Sequence, residues 1–255
     1  MKIRADLKTH FPRVQFNSIE GHLVEYERRQ YVKLHSISPE SEPRNRLAAN
    51  GIHFLLASLG RAKSLYEETV MAINEGKSLA PILTTRAHFE VTAAIGYFER
   101  KLSLFYSGQL PFEELDDILK RLLLGARKYV GTSERPAGMP QPINALTMID
   151  EIDKWWKTLQ EGENDFPKAP FRETYEVLSE WCHPNWAALS MHSELPEPPD
   201  GSITFPKNPR FEETMLGILT ANLSLTIYIG LNRFDVAWKN LFEQEKRYPF
   251  LFSGK

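Results

Sequence analysis

Residues 214–232, TMLGILTANLSLTIYIGLN, run without a single charged side chain between the polar flanks RFEE and RFDVAWKN. A segment this apolar must be taken out of water, and its length is close to the roughly 20 residues that cross a bilayer. It also holds Asn222, Ser224, Asn232 and threonines, polar groups that hydrocarbon tolerates poorly. The expectation is therefore a central helix buried on nearly all sides of a soluble bundle, with no membrane contact.

The rest of the chain supplies helices to enclose it. Apolar residues recur at helical spacing over residues 17–35, 44–77, 80–106, 111–129, 145–160, the stretch ending at His183, and 211–246. Proline and acids open PFEELDDILKRLLLGARKY and cations close it, which matches the helix dipole. This predicts an all-α helical bundle of about seven helices in one domain over 1–255, with a helical arm at 1–40 and the bundle core at 41–250. The Asp-Gly pair at 200–201 permits at most one small β-hairpin near 190–206. Two proline-rich loops, 131–143 and 195–209, exceed ordinary connections and are candidates for a lid or a partner surface.

Net charge is −2, from 31 basic and 33 acidic residues, so no global basic footprint points to nucleic acid or an anionic membrane. Cys182 is the only cysteine, which excludes an intrachain disulfide. With no apolar segment in MKIRADLKTHFPRVQF to act as a secretory signal, a reducing, cytoplasmic location is expected.

Two stretches place polar groups where a core is expected. TTRAHFEVTAAIGYF is apolar nearly all round from Phe89 to Phe98 except at Glu90. Arg86 lies four residues earlier and Tyr97 seven residues later on the same face. A carboxylate there needs a partner, so an Arg86–Glu90 ion pair with further hydrogen bonds is expected. In YEVLSEWCHPNW, Tyr175, Ser179 and His183 fall at i, i+4 and i+8, Pro184 ends the helix, and Asn185 turns the chain. Adjacent helical residues point about 100° apart, so Cys182 and His183 form no nucleophile–base dyad. Glu180 and His183 give one Glu-x-x-His where a di-iron bundle needs two. Neither a cofactor nor a metal is expected.

The pattern Arg86-x3-Glu90 followed by Tyr175-x2-Leu178-Ser179-x3-His183-Pro184-Asn185 resembles an uncharacterised bacterial family of all-helical proteins. It is more distantly similar to HEPN-type helical domains, many of which are ribonucleases. That resemblance implies action on RNA or a nucleotide, with Arg86, Glu90 and His183 as candidate catalytic residues; the helix faces read above add Tyr97, Tyr175, Ser179 and Asn185 as candidate pocket residues. The chain departs from the HEPN pattern of Arg, four to six residues, then His, because Glu176, Val177 and Leu178 occupy the arginine positions. Arg86 would have to serve from another helix. The alternative is a non-catalytic module that binds a protein partner through exposed Trp155, Trp156 and the proline loops. A homodimer is compatible with either.

Overall fold

The computed structural model of the chain describes residues 1–29, 43–126, 137–159, 170–190, 193 and 212–246. Among these the chain is all-α, with no strand. Its helices are α1 (Ala5–His10), α2 (His22–Glu27), α3 (Pro43–Asn74), α4 (Leu79–Tyr106), α5 (Phe112–Leu124), α6 (Ala145–Leu159), α7 (Pro170–Cys182), α8 (Trp186–Ser190) and α9 (Glu213–Lys246).

The count of about seven is corrected to nine among the described residues. The short helices α1 and α8 carry too little periodic signal to stand out in the sequence. The single helix expected at 17–35 is instead a 3₁₀ turn, Phe16–Ser18, followed by α2. Gly21 separates them at φ +83°, a left-handed geometry that costs a residue with a Cβ and breaks the helix there. Helix α5 stops at Leu124, five residues before its expected end. A Cβ on Gly125 would stand 2.2 Å from the Arg121 carbonyl oxygen and 2.6 Å from the Pro142 Cα, so close backbone approach fixes the exit. Almost all of the expected hairpin, all of the candidate loop 195–209 and residues 131–136 of the other candidate loop lie outside the described residues.

Helix α4 is the centre of the molecule. It packs against α3, α5, α6, α7 and α9; Ile82, Phe89, Val91, Ile95, Phe98 and Leu102 are among its buried residues, and the side of Leu83, Arg86 and Glu90 is left partly open. Helix α9 lies along α4 and α3. It is long and apolar enough to cross a membrane, and 56% of its most apolar stretch is buried inside the fold. The described part of the expected N-terminal arm packs on the same core: Ile3, Val14, Phe16, Ile19 and Tyr26 are buried. Tyr66 Oη donates to the Ile19 carbonyl at 2.9 Å, and Arg29 pairs with Asp235 at 2.8 Å.

One polar network lies at the heart of this packing. His88 on α4, 1% exposed, meets Tyr26 Oη at 2.6 Å through Nε2 and Thr226 Oγ1 at 3.0 Å through Nδ1. The Thr226 hydroxyl donates to the carbonyls of Asn222 and Leu223, so it accepts from His88 Nδ1–H, and Nε2 accepts from Tyr26. Both imidazole nitrogens are satisfied in the neutral form. Burial pushes the His88 pKa down to about 3.

The sign of the resulting pH dependence follows. Between about 3 and the ordinary histidine value near 6.5, the unfolded chain binds a proton that the folded chain refuses. The His88 contribution is therefore complete above about pH 6.5 and is lost as pH falls, by up to roughly 1.4 kcal/mol per pH unit. We expect the melting temperature to fall between pH 6.5 and 4, and His88→Gln to flatten that slope while lowering stability at pH 7. Thermal unfolding across the pH series measures both.

Candidate functional site

Helix α7 reaches its place through a cap from a neighbouring helix. Asp153 on α6, 4% exposed, accepts from the Phe171 and Arg172 backbone N–H groups at 3.0 and 2.9 Å. These are first-turn donors that α7 cannot satisfy internally. Burial raises the Asp153 pKa, and the two backbone bonds oppose the rise. From that anchor Phe171, Tyr175 and Leu178, all buried, press one stripe of α7 onto α4 and α6.

Tyr175 thereby meets the two charged residues expected to pair. Arg86 Nη2 donates to Tyr175 Oη at 2.8 Å, and Tyr175 Oη donates to Glu90 Oε1 at 2.9 Å. The direct Arg86–Glu90 approach is 3.7 Å, too long for a strong hydrogen bond, so the phenol is the bridge. The guanidinium also lies 5.0 Å from the centre of the Tyr175 ring, within cation–π range. The pair is partly open to water, with side-chain exposures of 27% for Arg86 and 35% for Glu90. Arg86 Nε is buried without a hydrogen-bond partner.

The electrostatics fit a locked cluster. Burial works against the charged form of Arg86, but the Tyr175 hydroxyl and the Glu90 carboxylate raise its pKa overall. Burial also raises the Tyr175 phenol, with Arg86 opposing and Glu90 reinforcing. Cys182 joins the cluster: it is half-buried and interacts with Arg86, while burial holds its thiol above the ordinary value. A thiol in that state is a poor nucleophile.

The other expected site residues lie elsewhere. His183 follows the last residue of α7 and is exposed. By helical register it is turned toward the side of Glu176 and Glu180, about 100° from Cys182. Its backbone N–H continues the helix to the Ser179 carbonyl at 3.2 Å. Ser179 Oγ bonds back to the Tyr175 carbonyl at 2.7 Å, a local helical bond that leaves it out of the cluster. Asn185 caps α8, accepting from the Ala188 N–H at 3.1 Å and donating to Glu180. Tyr97 lies two turns of α4 beyond Glu90, with Lys101 Nζ 5.2 Å from its ring centre.

The tryptophans expected on a partner surface are packed instead. Trp155 lies 4.0 Å beneath the Arg233 guanidinium, and Trp156 meets Phe171 edge-on. The exposed tryptophan is Trp186 at the start of α8, 68% accessible, with Leu189 one turn later at 59% and Val177 on α7 at 42%; Tyr228 on α9 is exposed as well, at 70%. An open groove of about 830 Å³ lies at the α3–α4 turn, lined by Met71, Leu79 and Leu83 among others. Among the described residues no three His, Cys, Asp or Glu side chains are grouped to hold a metal ion.

The Asp153 cap and the exposure of α8 were missed in the sequence. Asp153 lies 18 and 19 residues before the donors it serves, in an ordinary amphipathic helix, so its pairing is a tertiary fact with no local signature. Comparison with protein-family models, curated proteins and solved structures finds no match.

If Tyr175 bridges Arg86 and Glu90, the substitutions Tyr175→Phe and Arg86→Met must be non-additive. We expect a coupling of about 0.5–3 kcal/mol in a denaturant-unfolding double-mutant cycle. Additive losses would show that the two side chains do not act as a unit.

Proposed function

We propose that the protein is an interaction module that docks another protein on the ledge formed by the last turns of α7 and by α8. The observation that carries this is the exposure of Trp186 and Leu189, one helical turn apart on α8. Tryptophan is highly buried on average. An exposed one beside a second large apolar side chain has the composition of an interface anchor. The corner is rigid, since Asn185 ties both α7 and α8 through its bonds to Glu180 and Ala188. A preorganised anchor loses little side-chain entropy on binding.

A second reading, that the Arg86 cluster is an HEPN-like site for RNA or a nucleotide, draws support from the convergence of Arg86, Glu90 and Tyr175 and from the unpartnered Arg86 Nε. Two features weigh against it. The Arg86 charge is already offset by Glu90, which lowers its attraction for a phosphate. His183, the natural proton carrier, shares its side of α7 with carboxylates that repel a phosphate chain.

A photo-crosslinking residue at Leu189 should form an adduct in cells with one identifiable protein. That protein, purified, should bind the full chain at least tenfold more weakly when Trp186 is changed to Ala, about 1.4 kcal/mol or more. Absence of any adduct, or unchanged affinity of the Trp186→Ala variant, overturns the interaction reading. In parallel, RNA should be degraded no faster by the parent protein than by an Arg86→Ala/His183→Ala double variant. Faster loss with the parent would restore the nuclease reading.

A further inference from the structure

The charge around the exposed apolar ledge identifies the kind of partner it fits, on the premise that the ledge is a docking surface. Helix α7 carries Arg172, Glu173, Glu176 and Glu180 as its charged residues: three carboxylates against one guanidinium, a net charge of −2. Arg172 is shared, bonding Glu176 at 2.6 Å and reaching Asp150 of α6 at 3.0 Å. Including Asp150 brings the local balance to −3. Helix α8, WAALS, adds no charge.

Helical register sets the acids beside the apolar side chains. On α7, Glu173 and Glu180 lie at i−4 and i+3 from Val177, so they flank it on the same face. Glu173, Glu176 and Glu180 are all exposed. The last turns of α7 thus carry Val177 between acids, and the α8 corner, tied to Glu180 through Asn185, carries Trp186 and Leu189. The open groove at the α3–α4 turn lacks this character, because Glu68 and Glu75 there share the wall with Lys77.

We infer that the ledge takes a basic amphipathic segment of another protein, apolar side chains on Trp186 and Leu189 and lysines or arginines against Glu173, Glu176 and Glu180. Electrostatic complementarity of this kind selects partners more than it adds affinity. RNA and anionic membranes are disfavoured by the same carboxylates. A second copy meeting this ledge face to face would bring like charges together.

The test uses the full chain and three synthetic helices of about four turns. The first has leucines on one face and lysines on the other, the second replaces its lysines with glutamates, and the third replaces its leucines with serines. The first should bind, with affinity falling as salt rises, and the other two should bind at least tenfold more weakly. Trp186→Ala and the double variant Glu173→Gln/Glu176→Gln should each weaken binding of the first at least tenfold. Glu68→Gln/Glu75→Gln, at the α3–α4 turn, should leave it unchanged.

Equal binding of the acidic helix overturns the inference. So does unchanged affinity in Glu173→Gln/Glu176→Gln while Trp186→Ala abolishes binding; in both cases the ledge remains a docking surface for a partner of other charge. Binding insensitive to Trp186→Ala, tighter binding of single-stranded polyuridine than of the basic helix, or no binding of any helix at about 1 mM also overturns it. The crosslinking result at Leu189 decides the interaction reading separately, since it presumes nothing about the partner's charge.

Discussion

Everything in this molecule depends on enclosing α4. Its 28 residues are apolar on every side over the middle turns, and a helix of that kind has no stable place except inside others. The long uncharged helix α9 has the same requirement in weaker form. Placing the two side by side lets each cover part of the other, and α3, α6 and α7 close the remaining faces. Burial of apolar surface of this order is the largest favourable term in folding, so the bundle follows from those two segments before any polar contact is considered.

Polar groups on so buried a helix each need a local answer, and α4 shows three. His88 stays neutral and is bonded on both ring nitrogens, by Tyr26 from α2 and Thr226 from α9. Glu99, 6% exposed, accepts from Arg233 at 3.1 Å and from Ser103 at 2.8 Å. Trp155 stacks beneath that arginine, so α4, α6 and α9 share one charged contact. Arg86 and Glu90 lie where α4 emerges toward solvent, and there a phenol from α7 joins the two charges. Each solution draws on a different helix, which ties the polar register of the bundle to its apolar packing.

The sequence carried the long elements well, because periodicity over twenty or more residues is a property of one segment. It also carried the Arg86–Glu90 pair, since i and i+4 on a helix must be neighbours and a lone carboxylate there is costly. What it could not carry is partnership at a distance. Tyr175 was marked for lying in line with Ser179 and His183, yet it bridges two residues some 85 positions earlier, and Ser179 and His183 do not join it. The choice between Cys182 and His183 was legible only as an angle of about 100°, and which of them faced α4 depended on how Asp153 anchored α7. The tryptophans at 155 and 156 read as surface residues from their lysine neighbours. In the fold Arg233 and Phe171 cover them.

The corner at Cys182–Trp186 shows how a stop signal becomes a surface. Pro184 has no N–H to extend α7 and disfavours helical geometry at His183, so the helix ends at Cys182, beside the Arg86 cluster. Asn185 then restarts the chain as α8 through its side-chain cap. A five-residue helix has too few positions to turn every apolar residue inward, and its first residue, Trp186, is left outside. The cap that fixes this geometry also bonds Glu180, so the acid and the indole are held by the same asparagine. For the proposed docking surface, that shared asparagine is the feature by which one partner would meet both groups and be selected by charge as well as by shape.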